Sequence, residues 1–135
     1  MNPDLTPQAP QPRLKIMVAD DDDAIHLCMQ EIAEQQKWDL ALAKDGRECL
    51  EKLTSQDPDV LVLDLRMPHF SGIEIISELR AQDRKIPVIL ISADANICVH
   101  STLPGVVAVL SKPFDLCHFL DAVEAALPSS EAFCT

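Results

Sequence analysis

The acidic run Asp20-Asp21-Asp22-Asp23, the single Asp64, Ser92 and the tripeptide Ser111-Lys112-Pro113 each follow directly on a short apolar run. Brought together, they would make a site of three or more carboxylates, one hydroxyl and one ammonium. Clustered carboxylates repel one another and need a neutralising partner. Oxygen-only ligands of high charge suit a hard divalent cation, Mg2+ above all, with Mn2+ as the alternative. A carboxylate beside such an ion can act as a nucleophile towards a phosphoryl group, because the metal screens the charge of both. Asp64 has the features of that nucleophile; Lys112 and Ser92 have those of donors to the phosphoryl oxygens. Taken singly, each residue has a plainer reading. Acids after a strand are often helix N-caps or solvated loop charges, and Asp22 and Asp23 are expected to cap the first helix. Joint placement at four strand ends is what carries the argument.

Five apolar runs must position these groups: Leu14–Ala19, Leu40–Lys44, Val60–Leu63, Val88–Ile91 and Val106–Leu110. The first, third and fourth are nearly continuous rather than alternating, as expected of parallel strands buried on both faces. Helical periodicity fills the intervals. Ile25, Cys28, Met29 and Ile32 form one apolar stripe, and Leu116, Phe119, Leu120, Val123 and Leu127 form another. Asp45-Gly46-Arg47-Glu48 and Ser71-Gly72-Ile73-Glu74 match the capping-box pattern at helix starts. Repeated β–α units imply a parallel sheet with helices on both faces, and such sheets build their sites at the carboxyl ends of the strands.

The chain has 135 residues, the size of one domain. Residues 1–13 carry four prolines (Pro3, Pro7, Pro10, Pro12) and little to bury, so they are expected to form a disordered lead-in; residues 128–135 are expected to form a frayed tail. A domain over 14–127 remains. The net charge of −11 repels phosphate backbones and anionic lipid, which argues against direct binding of nucleic acid or membrane and favours a cation or a basic protein patch. Cys28, Cys49, Cys98, Cys117 and Cys134 are odd in number and show no C-x-x-C spacing, consistent with reduced thiols in a reducing compartment. The N-terminal stretch has no apolar h-region, and no apolar run approaches the roughly 20 residues of a membrane helix. A cytoplasmic location is expected.

Four segments together resemble the receiver domain of bacterial two-component response regulators. They are Ile16 through Asp22, Val60 through Gly72 with the motif D-x-x-M-P-x-x-x-G (Asp64, Met67, Pro68, Gly72), Val88 through Ala93, and Leu110-Ser111-Lys112-Pro113-Phe114. The resemblance covers residues 14–127. It implies a flavodoxin-like, doubly wound (βα)5 fold with a five-stranded parallel sheet in the order 2-1-3-4-5. It implies Asp64 as phosphoacceptor. Mg2+ would be held by Asp20, Asp21, Asp64 and the backbone carbonyl of Arg66, with Asp21 acting directly and Asp20 through water. Ser92 would be the switch hydroxyl and Lys112 the phosphate-pairing lysine. The phosphodonor would be a phosphohistidine on a sensor histidine kinase or a histidine phosphotransfer protein, and the signal would pass to a further, unidentified protein. The domain would not be an enzyme beyond weak self-phosphotransfer and autodephosphorylation. With no output domain in the sequence, a stand-alone regulator or shuttle is expected.

Two departures from the family pattern concern output. Val109 stands where most receivers carry an aromatic switch residue, so aromatic switching is not expected. Ser92 and Lys112 stand only 20 positions apart, and Pro104-Gly105 closes the interval, so the helix between the fourth and fifth strands should be short or irregular. The face around it offers almost no basic residue besides Lys112, so a charge-laced dimer contact is not expected there. His26, His69, His100 and His118 show no ligand spacing. Arg66 and Asp94 flank the site and could tune phosphate lifetime. Trp38 should pack where the first helix meets the second strand. A hydrolase of the haloacid dehalogenase type would need a second Asp two residues after the first, where Arg66 stands. A receiver-like module that binds partners without phosphorylation is the remaining alternative.

Overall fold

The computed structural model describes residues 13–67, 71–93, 103 and 105–127. Its five strands are β1 (Lys15–Ala19), β2 (Asp39–Ala43), β3 (Val60–Asp64), β4 (Val88–Ser92) and β5 (Val106–Ser111). They form one parallel sheet in the order β2-β1-β3-β4-β5, as expected. Every residue of β3 and β4 is buried, and β1 is buried after Lys15, whereas the edge strands β2 and β5 are mostly half-exposed. Alternate side chains point to opposite faces of a strand. Met17, Ala19, Leu61, Leu63, Val88 and Leu90 therefore enter one core, and Ile16, Val18, Val60, Val62, Ile89 and Ile91 the other. A continuous apolar run is what a strand with two dry faces requires.

Helices α2 (Gly46–Leu53) and α3 (Gly72–Ala81) close the first core; α1 (Asp23–Gln36) and α4 (Leu116–Ala126) close the second. The buried stripes are rotated from those the sequence predicts. On α1 they are His26, Met29, Ile32 and Ala33, with Cys28 exposed; on α4 they are Phe119, Ala122, Val123 and Ala126, with Leu116 45% exposed. Small alanines let both helices approach the sheet, and the larger apolar residues beside them move to the rim. Phe119 is fully buried between Phe114 (ring centroids 5.7 Å apart, stacked) and Trp38 (6.1 Å, edge-on). Trp38 thus ties the end of α1 to α4.

The helix starts are set by side-chain caps. Asp22 accepts from the Ala24 amide, Asp45 from Glu48 and Asp115 from His118. Ser71 and Glu74 form the full reciprocal box at α3. At α2 the pattern resolves differently: the Glu48 carboxylate accepts from the amide of Lys44, one residue before the cap. Asp23 is not a cap but the first residue of α1, and it pairs with Lys44 at 3.1 Å. The expectations for the lead-in before Arg13, the tail after Leu127, the helix between β4 and β5, Pro68, His69, His100, Asp94, Cys98 and Cys134 fall outside the described residues.

Candidate functional site

Parallel strands all finish on one edge of the sheet, so strand-end residues of neighbouring strands become neighbours. Ala19 pairs with Leu63, which sends Asp20 off β1 beside Asp64, the last residue of β3. Ser92 ends β4 opposite Ser111 of β5, and the Lys112 amide donates to the Ser92 carbonyl at 2.7 Å. Asp20, Asp64 and Ser92 are 0%, 6% and 2% exposed, respectively, while Asp21 is exposed. The structure therefore brings Asp20, Asp21, Asp64, Ser92 and Lys112 to one edge, with Arg66 two residues beyond Asp64. The Lys112–Pro113 peptide bond is cis.

Lys112 reaches both buried acids. Its Nζ lies 2.8 Å from Asp20 Oδ2 and 3.3 Å from Asp64 Oδ2. The Arg66 amide donates to Asp64 Oδ1 at 3.3 Å, and the Asp22 amide to Asp20 Oδ1 at 2.9 Å. The buried Asp20 Oδ2 has the Lys112 ammonium as its ion-pair partner, without an aligned hydrogen bond among the described residues. Carboxylate oxygens of Asp20, Asp21 and Asp64 lie within 4.8 Å of one another. An oxygen-only donor set of three carboxylates served by one ammonium fits a hard divalent cation.

The charge balance of the site is visible in its acidities. The Asp64 carboxyl is pushed up from 3.8 to about 6, chiefly by burial and then by the Asp20 carboxylate, while Lys112 and the Arg66 amide pull the other way. Burial works against the Lys112 ammonium, but Asp20 and Asp64 more than offset it, and Lys112 is held above its ordinary 10.5. One lysine cannot neutralise two buried acids and an exposed third.

Gly72, the last letter of the sequence motif, has a steric role. Its amide donates to the Leu65 carbonyl at 3.0 Å, and a Cβ at this position would come within 2.9 Å of the Asp64 carbonyl oxygen. Only glycine lets the start of α3 lie this close to the end of β3. His26, to which the sequence assigned no role, is buried on α1 with Nε2 2.6 Å from the Asp20 carbonyl. No ligand spacing announces that contact. The only sign is a histidine one position away from the apolar stripe. Val109 pairs with Leu90 and packs against the first core as an aliphatic residue.

Residues 16–124 match the family described as "Response regulator receiver domain". The chain belongs to the response-regulator receiver family. It is 30% identical over 116 residues to sporulation initiation phosphotransferase F of Bacillus subtilis, covering 84% of this chain and 94% of that protein. Among solved structures, it is similar to the receiver domain of Francisella response regulator 1452 (30% identity, TM-score 0.76, 84% of this chain and 97% of that one). It is also similar to response regulator TrrA from Thermotoga maritima, solved in complex with Mg2+-BeF (27% identity, TM-score 0.74, 84% and 99% covered). The chain spans about half the length of several other curated relatives it matches. Receivers are the phosphoacceptor modules of two-component regulators, phosphorylated from histidine kinases or phosphotransfer proteins, and they bind Mg2+ at an acidic pocket of the kind built here. No helix of the described residues is long and apolar enough to cross a membrane.

Proposed function

We propose that this receiver takes a phosphoryl group onto Asp64 from a phosphohistidine of a sensor histidine kinase or histidine phosphotransfer protein. The observation that carries this reading is the meeting of a buried, strand-ending Asp64 with Asp20 and Lys112 at ion-pair distance. Asp20, Asp21, Asp64 and the Arg66 carbonyl would hold Mg2+, or Mn2+ in its place. When bound, the ion supplies the positive charge that lets an anionic phosphoryl group approach a carboxylate. An Asp64 carboxylate oxygen attacks phosphorus, the phosphorus–nitrogen bond of the donor breaks, and the released imidazole keeps the electron pair and is protonated by solvent. Lys112, already beside Asp64 Oδ2, turns its ammonium to a phosphoryl oxygen. Attack of water on phosphorus later returns Asp64 and inorganic phosphate. Beyond this self-phosphotransfer and autodephosphorylation the domain is not an enzyme.

Phosphorylation replaces one negative charge by about two and adds acceptor oxygens. The Ser92 hydroxyl, at the end of β4, would move towards them and carry the end of that strand with it. A shift of populations from 1:99 to 99:1 needs about 5.5 kcal/mol. One charge-assisted hydrogen bond contributes about 1.5–3 kcal/mol, so Ser92 and Lys112 must act together with repacking. Val109 has no ring to swing inward, so the signal would leave through the Ser92 and Lys112 backbone connection, to a partner protein rather than to DNA. Exposure to a radiolabelled phosphohistidine donor tests the reading. A label on the wild type that is released by hydroxylamine, as an acyl phosphate is, and absent from Asp64→Asn is expected. A folded, Mg2+-supplied protein that takes no label from several phosphorylated donors would favour a module that binds partners without phosphorylation.

A further inference from the structure

Three anchors hold the loop between β1 and α1. The Asp20 amide donates to the Ala43 carbonyl at 3.0 Å, Asp20 Oδ1 accepts from the Asp22 amide at 2.9 Å, and the Asp20 carbonyl meets His26 Nε2 at 2.6 Å. The first two belong to the strand and to a local turn. The third comes from a side chain on the first turns of α1, in a chain whose Asp22 caps that same helix.

A carbonyl only accepts, so His26 must present Nε2–H to it. That bond acts on more than Asp20. The peptide unit is planar, and the Asp20 carbonyl shares its plane with the Asp21 amide. Fixing the carbonyl therefore fixes the N–Cα bond of Asp21. The Asp22 amide, held by Asp20 Oδ1, fixes the peptide plane on the other side of Asp21, and the two planes together set the direction in which its Cα–Cβ bond leaves the chain. Asp21 is the exposed member of the carboxylate cluster, without the burial that immobilises Asp20 and Asp64. His26 is buried to 8% exposure, so its ring is held by packing and is a firm point of attachment.

We infer that His26 is a positioning residue for the cation site. By donating Nε2–H to the Asp20 carbonyl, it locks the Asp20–Asp21 peptide plane and aims the Asp21 carboxylate at Asp20 and Asp64. This inference rests on reading the acidic pocket as a Mg2+ site. Groups that orient metal ligands typically cost about 10–100-fold in affinity when lost.

Amide NMR titration of the full chain with Mg2+ tests it, comparing wild type with His26→Leu, His26→Gln and His26→Asn. A glutamine amide can reach the place of Nε2; an asparagine amide falls short. The expected result is Mg2+ affinity weakened about tenfold or more in His26→Leu and His26→Asn, restored to within about threefold of wild type in His26→Gln. The Asp21 amide resonance should be displaced in the metal-free Leu and Asn variants and wild-type-like in Gln. A merely structural histidine would lower the unfolding midpoint without moving either readout in the folded protein. Folded Leu and Asn variants with wild-type Mg2+ affinity and an unmoved Asp21 amide would overturn the inference. If the Leu variant does not fold, the Gln–Asn comparison decides. A wild type that binds no Mg2+ would bring down the site reading instead, and the metal-free Asp21 amide would still report whether His26 sets the peptide plane.

Discussion

Replacing the central acid should make the metal-free domain more stable. Asp64 is 6% exposed, and its carboxyl is raised from 3.8 to about 6, first by burial and then by the Asp20 carboxylate. The folded chain thus binds this proton more tightly than the unfolded chain. As pH rises from 3.8 to about 6 the native state loses that advantage, and at neutral pH the ionised Asp64 costs stability. About two pH units at 1.36 kcal/mol each sets an upper bound of about 3 kcal/mol. Asp64→Asn removes the charge and keeps the shape, but it also deprives Lys112 of one of its two carboxylates. A net gain of about 1–2 kcal/mol at pH 7.5 follows, or about 4–10 °C in Tm for a domain of this size. Urea and thermal unfolding in EDTA would measure it. The advantage should shrink as pH falls from about 6 towards 3.8, and it should shrink again in saturating Mg2+, which stabilises the wild type more. An Asn variant less stable than wild type by 1 kcal/mol or more in EDTA at pH 7.5 would refute the claim that burial and Asp20 strain Asp64.

Lys112→Ala should separate stability from metal binding: it removes the cation shared by Asp20 and Asp64, so stability in EDTA should fall by about 1–3 kcal/mol, while the more negative pocket binds Mg2+ more tightly, both readable by urea unfolding with and without the ion. Gly72→Ala places a Cβ 2.9 Å from the Asp64 carbonyl, and overpacking against backbone should cost about 1–3 kcal/mol in urea unfolding and slow Mg2+-dependent phosphorylation by shifting the end of β3. Apparent Mg2+ affinity, followed by titration across pH 5 to 8, should be flat above neutrality and should fall as Asp64 takes up its proton below about 6; affinity that rises on acidification would contradict the assignment of Asp64 to the pocket.

The central strands were legible because β3 and β4 are dry on both faces, and only continuous runs such as Val60–Leu63 and Val88–Ile91 satisfy that demand. The site was legible for a related reason. Parallel strands share a carboxyl edge, so residues placed just after apolar runs, Asp20, Asp64, Ser92 and Lys112, had to meet. The helix faces were less legible. Apolar spacing alone put Cys28 and Leu116 inward, yet the small Ala33, Ala122 and Ala126 occupy the places where helix backbone nears the sheet. Glu48 satisfied the capping pattern in type but bonds Lys44, because the pattern does not fix which amide comes within reach. His26 escaped notice because its partner is a backbone carbonyl, and a backbone acceptor leaves no mark in side-chain spacing.

The most direct test of the account is intact mass after incubation with Mg2+ and acetyl phosphate, beside Asp64→Asn and an EDTA control. A single phosphoryl adduct that requires the ion and is absent from the Asn variant is the predicted result. An adduct of the same size on Asp64→Asn, or none on folded wild type saturated with Mg2+, would contradict Asp64 as the acceptor around which this edge of the sheet is built.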